Sequence, residues 1–280
     1  MRALIIGCGH IGQGLANLWR QEGHFVQGTT TTPGKVERLQ NVLDQVTLCK
    51  GGDEKILAPL LPEFDLVVIA AAPSVRQAKT PAEREASYRE ALLDTCQVAA
   101  RHQARCIFLS SFAVYGDGLQ ANGSIQEDSP LTESTDPSPR YFRLAEEEVL
   151  KHPQGSVLRL PDIYGAPGDM SYPDRLKLGL TLMGGQVPFS GDAPLYRIHY
   201  LDVVSAVDHV VKQGLRGVFN VCDPGEVPPT NRRVFDRLSE AMKLDKLTFL
   251  GQIKAPLGKV SADKIYRTGY RITEEPHVDL

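Results

Sequence analysis

A glycine-rich turn near the start of the chain constrains the fold more than any other feature of the sequence. Residues 7–12 read G-C-G-H-I-G, which is a G-x-G-x-x-G spacing. The turn follows a short apolar run at 3–6 and precedes a segment with helical spacing of apolar residues, which Gly23 ends. A second apolar run follows at 25–27. Strand, glycine turn, helix and strand in this order predict a βαβ unit, from which parallel sheets are built.

Short apolar runs alternate with helical patterns along the first half of the chain, which predicts further βαβ units. Each run is rich in Val, Ile, Leu or Phe, as expected for strands that are covered by helices on both faces. The sequence therefore predicts an α/β protein of Rossmann type with a doubly wound parallel sheet. The predicted strands are 3–6, 25–27, 46–49, 66–70, 106–109, 157–160 and 218–221.

The regular alternation weakens in the second half of the chain, where Pro and Gly become frequent. We predict a Rossmann core over 1–165 and a smaller C-terminal substrate lobe over 166–280, with 197–222 returning to the sheet. Two helices in this half are predicted from a capping residue that precedes an apolar stripe. Asp202 is predicted to cap the first of these helices and Thr230 the second.

Composition and charge exclude several classes of protein. The chain has 34 acidic and 31 basic residues, so its charge gives no reason to expect nucleic acid or an anionic membrane as a partner. No apolar stretch approaches the roughly 20 residues that span a bilayer. The five cysteines are scattered without a C-x-x-C pair, and no residues have metal-ligand spacing. The sequence predicts a cytoplasmic protein without a metal, and a small molecule as its partner.

The glycine turn also predicts a ligand, because its context is that of a dinucleotide-binding site. Gly7 permits the tight turn, Gly9 lets the backbone approach a pyrophosphate, and Gly12 lets the helix pack closely on the strand. Free amide groups at the start of the helix, including those of His10 and Ile11, then hold the phosphates at the positive end of the helix dipole. The alternative is a structural glycine turn without a ligand.

The end of the second strand decides which dinucleotide binds. Sites for NAD usually place Asp or Glu there, whereas this chain has Gly28 followed by four threonines and then Lys35. No carboxylate would repel a 2′-phosphate, and the hydroxyls of Thr29 and Thr30 together with Lys35 could bind one. We predict NADP(H), with NAD(H) as the second choice. The alternative is a polar turn with a solvated lysine.

Four further motifs follow the glycine turn in a recognisable order. Residues 110–116 read S-S-F-A-V-Y-G and residues 159–165 read R-L-P-D-I-Y-G. Residues 197–203 read R-I-H-Y-L-D-V, and residues 217–221 read G-V-F-N-V. As a set they resemble the motifs of the extended short-chain dehydrogenases/reductases, the NAD-dependent epimerase/dehydratase family. The resemblance covers nearly the whole chain, although this glycine turn is one residue tighter than the G-x-x-G-x-x-G usual in the family.

The resemblance implies further contacts with the cofactor. It implies that Asp53, after the third strand, meets the adenine. It also implies that Ala70 and Ala71 lie along the cofactor and that Pro161 and Ile163 lie near the nicotinamide. The substrate that the resemblance implies is small and polar, such as a sugar or a nucleotide sugar.

The catalytic Tyr-x-x-x-Lys of the family is incomplete in this chain. Glu147 and Leu150 align with the Glu and the aliphatic residue that follow it. This alignment places Arg143 at the position of the Lys and Pro139 at the position of the Tyr. The chain thus resembles atypical members that keep the serine and lose the Tyr–Lys pair. Ser111 aligns with that serine and is predicted to hold the substrate oxygen.

Arg143 keeps the positive charge of the missing lysine and is predicted to bind the nicotinamide ribose. The alternative is a surface ion pair with Glu147, one helical turn further on. Tyr141, Tyr164 and His199 are the groups of suitable chemistry to replace the missing acid. Tyr141 is the first choice, because proline before a helix can shift where the helix starts.

Two functions compete on this evidence. The first is an NADP(H)-dependent oxidoreductase or epimerase that acts through Ser111. The second is a non-catalytic NADP(H)-binding sensor or regulatory protein, which the lost tyrosine favours, and a flavin-linked reductase is a third. The resemblance also implies a homodimer formed through helices at 84–102 and 139–150. The acidic run at 146–148 is interpreted as a solvated helix face.

Overall fold

The apolar runs form the strands of the computed structural model, which describes residues 1–75, 78–103, 105–118 and 123–274. The strands are β1 (Arg2–Ile6), β2 (Phe25–Thr30), β3 (Gln45–Leu48), β4 (Leu66–Ile69), β5 (Cys106–Ser111), β6 (Ser124–Ile125), β7 (Ser156–Leu160), β8 (Asp162–Tyr164), β9 (Gln186–Phe189), β10 (Arg197–His199), β11 (Gly217–Asn220), β12 (Thr248–Ile253) and β13 (Lys259–Val260). The seven predicted strands correspond to the seven strands of the largest sheet in the described residues.

That sheet is parallel throughout and has the order β11-β7-β5-β4-β1-β2-β3. From β1 the chain first extends the sheet through β2 and β3 and then returns to add β4 on the other side. This reversal makes the carboxyl end of β1 the switch point at which ligands bind in open α/β sheets. The doubly wound Rossmann fold predicted from the sequence is confirmed.

Helices connect the strands and cover both faces of the sheet. They are α1 (His10–Gln21), α2 (Val36–Gln40), α3 (Glu54–Leu57), α4 (Pro81–Tyr88), α5 (Thr95–His102), α6 (Pro137–Leu150), α7 (Tyr172–Leu182), α8 (Tyr200–Lys212), α9 (Asn231–Met242) and α10 (Asp263–Tyr266). None of the helices in the described ranges combines the length and apolar character needed to cross a bilayer.

Two apolar clusters hold the sheet between its helices. One face packs against α1 and α8, where Trp19 and Val207 are fully buried. The other face packs against α5 and α6, where Cys96 and Val149 are fully buried. All four residues of β4 are buried, which explains why the central strands are continuous apolar runs rather than alternating ones.

The second half of the chain has a smaller cluster of its own. Leu176 of α7, Val187 of β9 and Phe235 of α9 belong to it, and β9 pairs in parallel with β12. The end of the described chain instead packs on the main sheet, where Val260 and Tyr270 join the cluster around α1 and α8. The boundary between core and lobe that the sequence suggests stays a prediction.

One of the two predicted helix caps is confirmed and the other is wrong. The hydroxyl of Thr230 accepts a hydrogen bond from the Arg233 amide at the start of α9. Asp202 does not cap α8, because that helix already begins at Tyr200. The buried carboxylate of Asp202 accepts hydrogen bonds from Thr273 instead and so ties the end of the described chain to α8. A partner 71 residues away cannot be read from local spacing.

Candidate functional site

The first glycine of the turn is required by its backbone and by a neighbouring strand. Gly7 has a φ of +86°, which L-residues with side chains rarely adopt. A Cβ at this position would lie 2.5 Å from the Cα of Ala71, where the chain leaves β4. The adjacent Ala70 amide donates to the carbonyl of Ile6 at 2.9 Å. The glycine turn and the residues that follow β4 are therefore packed directly against each other. Gly7, Ala70 and Ala71, which are all predicted to lie along the cofactor, are neighbours in the structure.

The other two glycines of the motif have different surroundings. A Cβ on Gly12 would lie 3.0 Å from Cγ2 of Ile5 and 3.1 Å from Sγ of Cys8, so Gly12 allows α1 to pack on β1. A Cβ on Gly9 would have no neighbour within 4 Å. Gly9 is also exposed. The space above it is open to a ligand that approaches the backbone.

Thr29 fixes the shape of the turn from the neighbouring strand. Its hydroxyl accepts a hydrogen bond from the Gly7 amide at 3.0 Å, and its carbonyl accepts one from the Cys8 amide at 2.8 Å. Thr29 is 2% exposed. The structure therefore shows this threonine holding the glycine turn in place.

The amides that follow the turn are free of partners within the helix. The first hydrogen bond of α1 runs from the Gln13 amide to the Gly9 carbonyl, so the amides of His10, Ile11 and Gly12 precede it. No side chain caps the helix, and its first turn contains no acidic residue. Three donors at the positive end of a helix dipole can hold an anion at this point.

The threonines that follow Gly28 divide into two groups. Thr30, like Thr29, is buried, and its hydroxyl accepts from the Thr32 amide at 3.2 Å. Thr31 and Thr32 are exposed. The structure thus places the accessible hydroxyls one or two residues beyond those that the sequence suggested.

A second cation lies beside Lys35. The 3₁₀ turn Pro33–Lys35 leads directly into α2, which brings Arg38 onto the same short helical segment. Both side chains are exposed and make no ion pair with a described residue. Their spacing of three residues in a helical segment could have identified Arg38 from the sequence.

Asp53 lies just beyond the carboxyl end of β3, next to the end of β2. Its carboxylate caps α3 by accepting from the Ile56 amide at 3.4 Å. The loop before it is tied to β2, because the Cys49 amide donates to the Thr30 carbonyl at 3.0 Å. The residue that the resemblance assigns to the adenine therefore lies on the same edge of the sheet as the glycine turn.

Ser111 is the last residue of β5 and pairs in register with Leu160 of β7. Its hydroxyl accepts a hydrogen bond from the Ala113 amide at 3.1 Å. Pro161 follows Leu160 directly, and Ile163 lies in β8 just beyond. The structure thus brings Ser111, Pro161 and Ile163 together at the carboxyl edge of adjacent strands.

A buried ion pair lies beneath this part of the edge. Glu146 of α6 is 2% exposed, and its carboxylate accepts from Nε and Nη2 of Arg159, at 3.0 and 2.7 Å. It also accepts from the Ser110 hydroxyl at 2.5 Å. The interpretation of the acidic run as a solvated face is wrong for Glu146, because one residue in each helical turn must face the sheet. Glu147 of the same run is exposed.

Arg159 extends the buried pair into a network. Its Nη1 donates to the hydroxyl of Tyr115 at 2.9 Å, and that hydroxyl donates to Oδ1 of Asn220 at 2.6 Å. Burial acts to lower the pKa of Arg159, but the hydrogen bonds and charge of Glu146 outweigh it, and the pKa is raised. The network fixes the turn after Ser111 to β7 and β11. Tyr115, Arg159 and Asn220 each belong to one of the sequence motifs, but the motifs did not indicate that these residues contact one another.

Tyr141 is placed against α4 rather than at Ser111. The helix α6 begins at Pro137, with Asp136 as its cap, so the later start that would turn Tyr141 toward Ser111 does not occur. The Tyr141 hydroxyl donates to Oε1 of Glu85 at 2.9 Å. Burial and this carboxylate raise the pKa of Tyr141, which makes it a weaker acid.

Arg143 faces the loop that covers the turn after Ser111. Its Nη1 donates to the carbonyl of Thr132 at 3.1 Å, and its Nε is buried without a hydrogen-bond partner in the described residues. The Thr132 amide in turn donates to the Val114 carbonyl at 2.8 Å. Arg143 therefore lies near the turn that follows Ser111.

Tyr164 and His199 lie side by side beyond the edge of the sheet. They are paired in the register of β8 and β10, and their ring centroids are 5.3 Å apart. The guanidinium of Arg197 lies over the Tyr164 ring at 4.9 Å. Nδ1 of His199 is buried without a hydrogen bond and lies 3.9 Å from the carboxylate of Glu274. Within the described residues, no group of three His, Cys, Asp or Glu side chains could hold a metal ion.

Residues 3–222 match the family model for the NAD dependent epimerase/dehydratase family. The match covers more than half of the 280 residues. The chain therefore belongs to the NAD-dependent epimerase/dehydratase family, as the four motifs after the glycine turn indicated. No curated protein sequence matches the chain significantly.

Solved structures from bacteria and humans share the fold over nearly the full chain. The Bordetella bronchiseptica enzyme WbmH in complex with NAD+ has a TM-score of 0.74 and 18% identity, covering 98% of this chain and 94% of that one. The Thermotoga maritima UDP-glucose 4-epimerase with UDP-glucose has a TM-score of 0.72 and 20% identity, covering 98% of this chain and 94% of that one. The human epimerase family protein SDR39U1 (isoform 2) with NADPH has a TM-score of 0.70 and 21% identity, covering 99% of this chain and 96% of that one. At these identities the likeness establishes the fold.

Proposed function

We propose that the protein binds a nicotinamide adenine dinucleotide at the turn between β1 and α1. In this proposal it acts as an oxidoreductase or epimerase/dehydratase on a small polar substrate, a sugar or a nucleotide sugar. The observation that carries the proposal is the open approach to the helix amides above Gly9, where a Cβ would have no neighbour within 4 Å. Proteins with this fold in complex with NAD+, NADPH and UDP-glucose support the choice of ligands.

The residues around the turn fit a dinucleotide. The amides of His10, Ile11 and Gly12 would hold its pyrophosphate, because they precede the hydrogen-bond ladder of α1 and no side chain caps them. Gly7 and Gly9 would keep side chains out of its path. Ala70 and Ala71 would line the same path with small side chains, and Asp53 would meet the adenine.

Among nicotinamide dinucleotides, the proposal favours NADP(H) over NAD(H). The exposed Thr31, Thr32, Lys35 and Arg38 follow the end of β2, where the 2′ position of the adenosine ribose is read in Rossmann folds. Two cations and two hydroxyls suit a phosphate, since charge-assisted hydrogen bonds to phosphate are strong. The buried Thr29 and Thr30 would support this turn from below.

At the other end of the dinucleotide, the residues of β5, β7 and α6 would carry the chemistry. The cofactor, when bound, supplies hydride transfer. The Ser111 hydroxyl accepts from Ala113, which leaves its hydrogen available to a substrate oxygen. Arg143 would contact the nicotinamide ribose through the donors that Thr132 leaves free. Pro161 and Ile163 would flank the nicotinamide.

The proton exchange that the family assigns to tyrosine needs another group here. Pro139 lies at the aligned position and has no acid, and the Tyr141 hydroxyl is held by Glu85. The proposal therefore keeps Tyr164 and His199, beyond the edge of the sheet, as the groups to test. Tyr141 has no role in proton transfer in this proposal, because its hydroxyl is bonded to Glu85.

Replacing Gly9 by valine tests the proposal most directly. The added side chain has space in the protein alone but would occupy the path to the amides. We expect dinucleotide affinity to fall at least about a hundredfold, equivalent to 2.7 kcal/mol, with an unchanged melting temperature. Asn17→Val on the exposed part of α1 is the matched control and should bind normally. Unaltered affinity in the Gly9→Val protein would remove the basis of the proposal.

The preference for NADP(H) has its own experiment. Titration should show NADPH binding at least about tenfold more tightly than NADH. Lys35→Ala should weaken NADPH binding about tenfold and leave NADH binding unchanged, because only NADPH carries the 2′-phosphate. Lys177→Ala, an exposed lysine of α7, is the control. Tighter binding of NADH than of NADPH would reverse the cofactor assignment and leave the dinucleotide site itself intact.

Catalysis is tested with the nucleotide sugars UDP-glucose and dTDP-glucose and with simple carbonyl substrates, by following NADPH oxidation and sugar products. Ser111→Ala should lower turnover about a hundredfold while dinucleotide affinity stays within about twofold. The second candidate, a non-catalytic NADP(H)-binding sensor, is favoured by Pro139 and by the engaged Tyr141 hydroxyl. It predicts tight binding with no turnover on the whole panel and a change of partner or oligomer on binding.

Two further proposals concern the state of the protein in the cell. The five cysteines are buried free thiols, which suits a reducing compartment and supports a cytoplasmic location. A homodimer through the surface of α4, α5 and α6 rests on the family resemblance. Sedimentation of the purified protein should give twice the mass of the chain, 30.7 kDa, and a monomer at all concentrations would contradict the dimer.

A further inference from the structure

The helical segment between β4 and β5 contains an irregular turn. Between α4 and α5 the residues Arg89–Asp94 form a π-helical turn. Such turns insert one extra residue into a helix and are frequent at functional sites. The hydroxyl of Thr95 donates to the carbonyl of Glu90 at 2.9 Å and satisfies a carbonyl at the widened turn. Thr95 is fully buried.

The π-helical turn packs directly on the loop that leaves β3. A Cβ on Gly51 would lie 2.2 Å from Oγ1 and 2.9 Å from Cγ2 of Thr95. A Cβ on Gly52 would lie 3.0 Å from Cβ of Asp94 and 3.8 Å from the Glu90 carbonyl oxygen. Neither glycine has a positive φ. These positions are therefore restricted by close approach of the helix and not by backbone conformation.

Side chains join the same two elements on either side of the glycines. Before them, Lys50 pairs with Glu90 at 2.9 Å. After them, Glu54 accepts from Arg101 at 2.5 Å and lies 3.1 Å from Nε2 of His102, both at the end of α5. These exposed pairs contribute little energy individually. They show that the loop lies along the helical segment from Glu90 to His102.

The loop ends at Asp53, beside the exit of β2. We propose that the π-helical turn is a positioning element for the adenine end of the dinucleotide, acting through Gly51 and Gly52. The inference rests on the proposed dinucleotide site. Removal of the extra residue would rotate Thr95 about 100° around the helix axis, so a regular helix could not present the same surface to the loop. Thr95 and Asp94 are positioning residues, because they act through the loop.

The test introduces a clash and then relieves it. Gly51→Ala should weaken binding of both NADPH and ADP-ribose about tenfold or more, because the two share the adenine end. Thr95→Ala removes the two atoms nearest to the added methyl group, so the double variant should bind within about threefold of the native protein. Thr95→Ala alone removes the contact that supports the loop and should weaken binding by about twofold to threefold, less than Gly51→Ala does. Gly52→Ala, with its milder contact at 3.0 Å, should weaken binding less than Gly51→Ala.

Melting temperature separates positioning from general destabilisation. Thr95→Ala loses a buried hydrogen bond and leaves a small cavity, so it should lower the melting temperature alone and in the double variant. If the effect on binding came only from lower stability, the double variant would bind worse than Gly51→Ala. If Gly51→Ala does not fold, the double variant and Gly52→Ala carry the test.

The possible failures are distinguishable. Normal affinity of a folded Gly51→Ala protein, or of Gly52→Ala where that variant carries the test, would overturn the positioning role and leave the dinucleotide site standing. A double variant that binds no better than Gly51→Ala would overturn it as well. A native protein that binds neither NADPH nor ADP-ribose would contradict the proposed function, and this inference with it.

Discussion

The two ends of the candidate cofactor cleft are built in different ways. At the glycine turn, the end proposed to hold the pyrophosphate, the main chain forms the site: Gly7 has the backbone and the close contact that only glycine tolerates, and the space above Gly9 is open. At the nicotinamide end, side chains are decisive. There the family resemblance aligns Pro139 with the family's tyrosine, and the structure shows the Tyr141 hydroxyl bonded to Glu85.

The difference shows how one fold can keep a ligand site and change its chemistry. A site made from amides tolerates many side-chain changes, because each residue supplies the same donor. Proton transfer depends on a single group in the right position. In this chain Glu146 and Arg159 form a buried ion pair beneath the strand edge that ends at Ser111, so this edge keeps its shape whichever group transfers the proton.

The largest expected effect is loss of the buried ion pair at the nicotinamide end. Glu146→Ala would leave the guanidinium of Arg159 buried without its partner, which should lower the free energy of unfolding by about 3–5 kcal/mol. Urea denaturation measures the change. Glu147→Ala, the exposed neighbour, should change stability by less than about 0.5 kcal/mol. Equal effects of the two substitutions would mean that Glu146 is not buried as described.

At the glycine turn, Gly7→Ala should lower the free energy of unfolding by about 2–5 kcal/mol. The left-handed backbone costs about 1–2 kcal/mol, and the contact with the Ala71 backbone costs about 1–3 kcal/mol. Gly9→Ala should leave stability nearly unchanged, because its Cβ meets no atom. Thermal unfolding of the two variants compares a glycine required by the fold with one required by the ligand. Similar melting temperatures would contradict the conclusion that the fold requires Gly7 but not Gly9.

A smaller effect is expected for Tyr141→Phe. Loss of the hydrogen bond to Glu85 should lower the free energy of unfolding by about 0.5–1.5 kcal/mol. Because the hydroxyl is engaged away from Ser111, NADPH affinity and any turnover should remain within about twofold. A large loss of turnover at normal stability would contradict this expectation and support a catalytic role for Tyr141.

The smallest effect concerns the cysteines near the glycine turn. Burial raises the pKa of Cys8 to about 12, and burial with the charge of Asp53 raises the pKa of Cys49 to about 11. Thiolates are the reactive form, so iodoacetamide at pH 8 should label neither residue in the native protein and all five cysteines in urea. Rapid native labelling of Cys8, read by mass spectrometry, would contradict its burial.

The same shifts give a direction for alkaline stability. The thiols keep their protons longer in the folded state than in the unfolded state, where their pKa is near 9.0. Their contribution to stability is therefore complete below about pH 9 and is lost as pH rises toward 11 and 12. The melting temperature should fall over this range.

Sequence motifs predicted the central sheet and the family because both depend on local patterns. Seven apolar runs gave the seven strands, and the glycine spacing located the turn at the carboxyl end of β1. The cap of α9 by Thr230 was also local. The cap assigned to Asp202 was wrong, since its carboxylate bonds to Thr273 far along the chain.

What the sequence determined by itself is where the seven strands of the main sheet lie, where glycine allows close approach, and where helix amides lie unused. Only the tertiary structure decided where side chains find their partners. Packing on the sheet buried Glu146 against Arg159 and turned Tyr141 to Glu85, while Thr29 became the support of the glycine turn. The physical reason is that local spacing fixes the periodicity of an element, whereas its rotation and distant neighbours follow from burial of the whole apolar core.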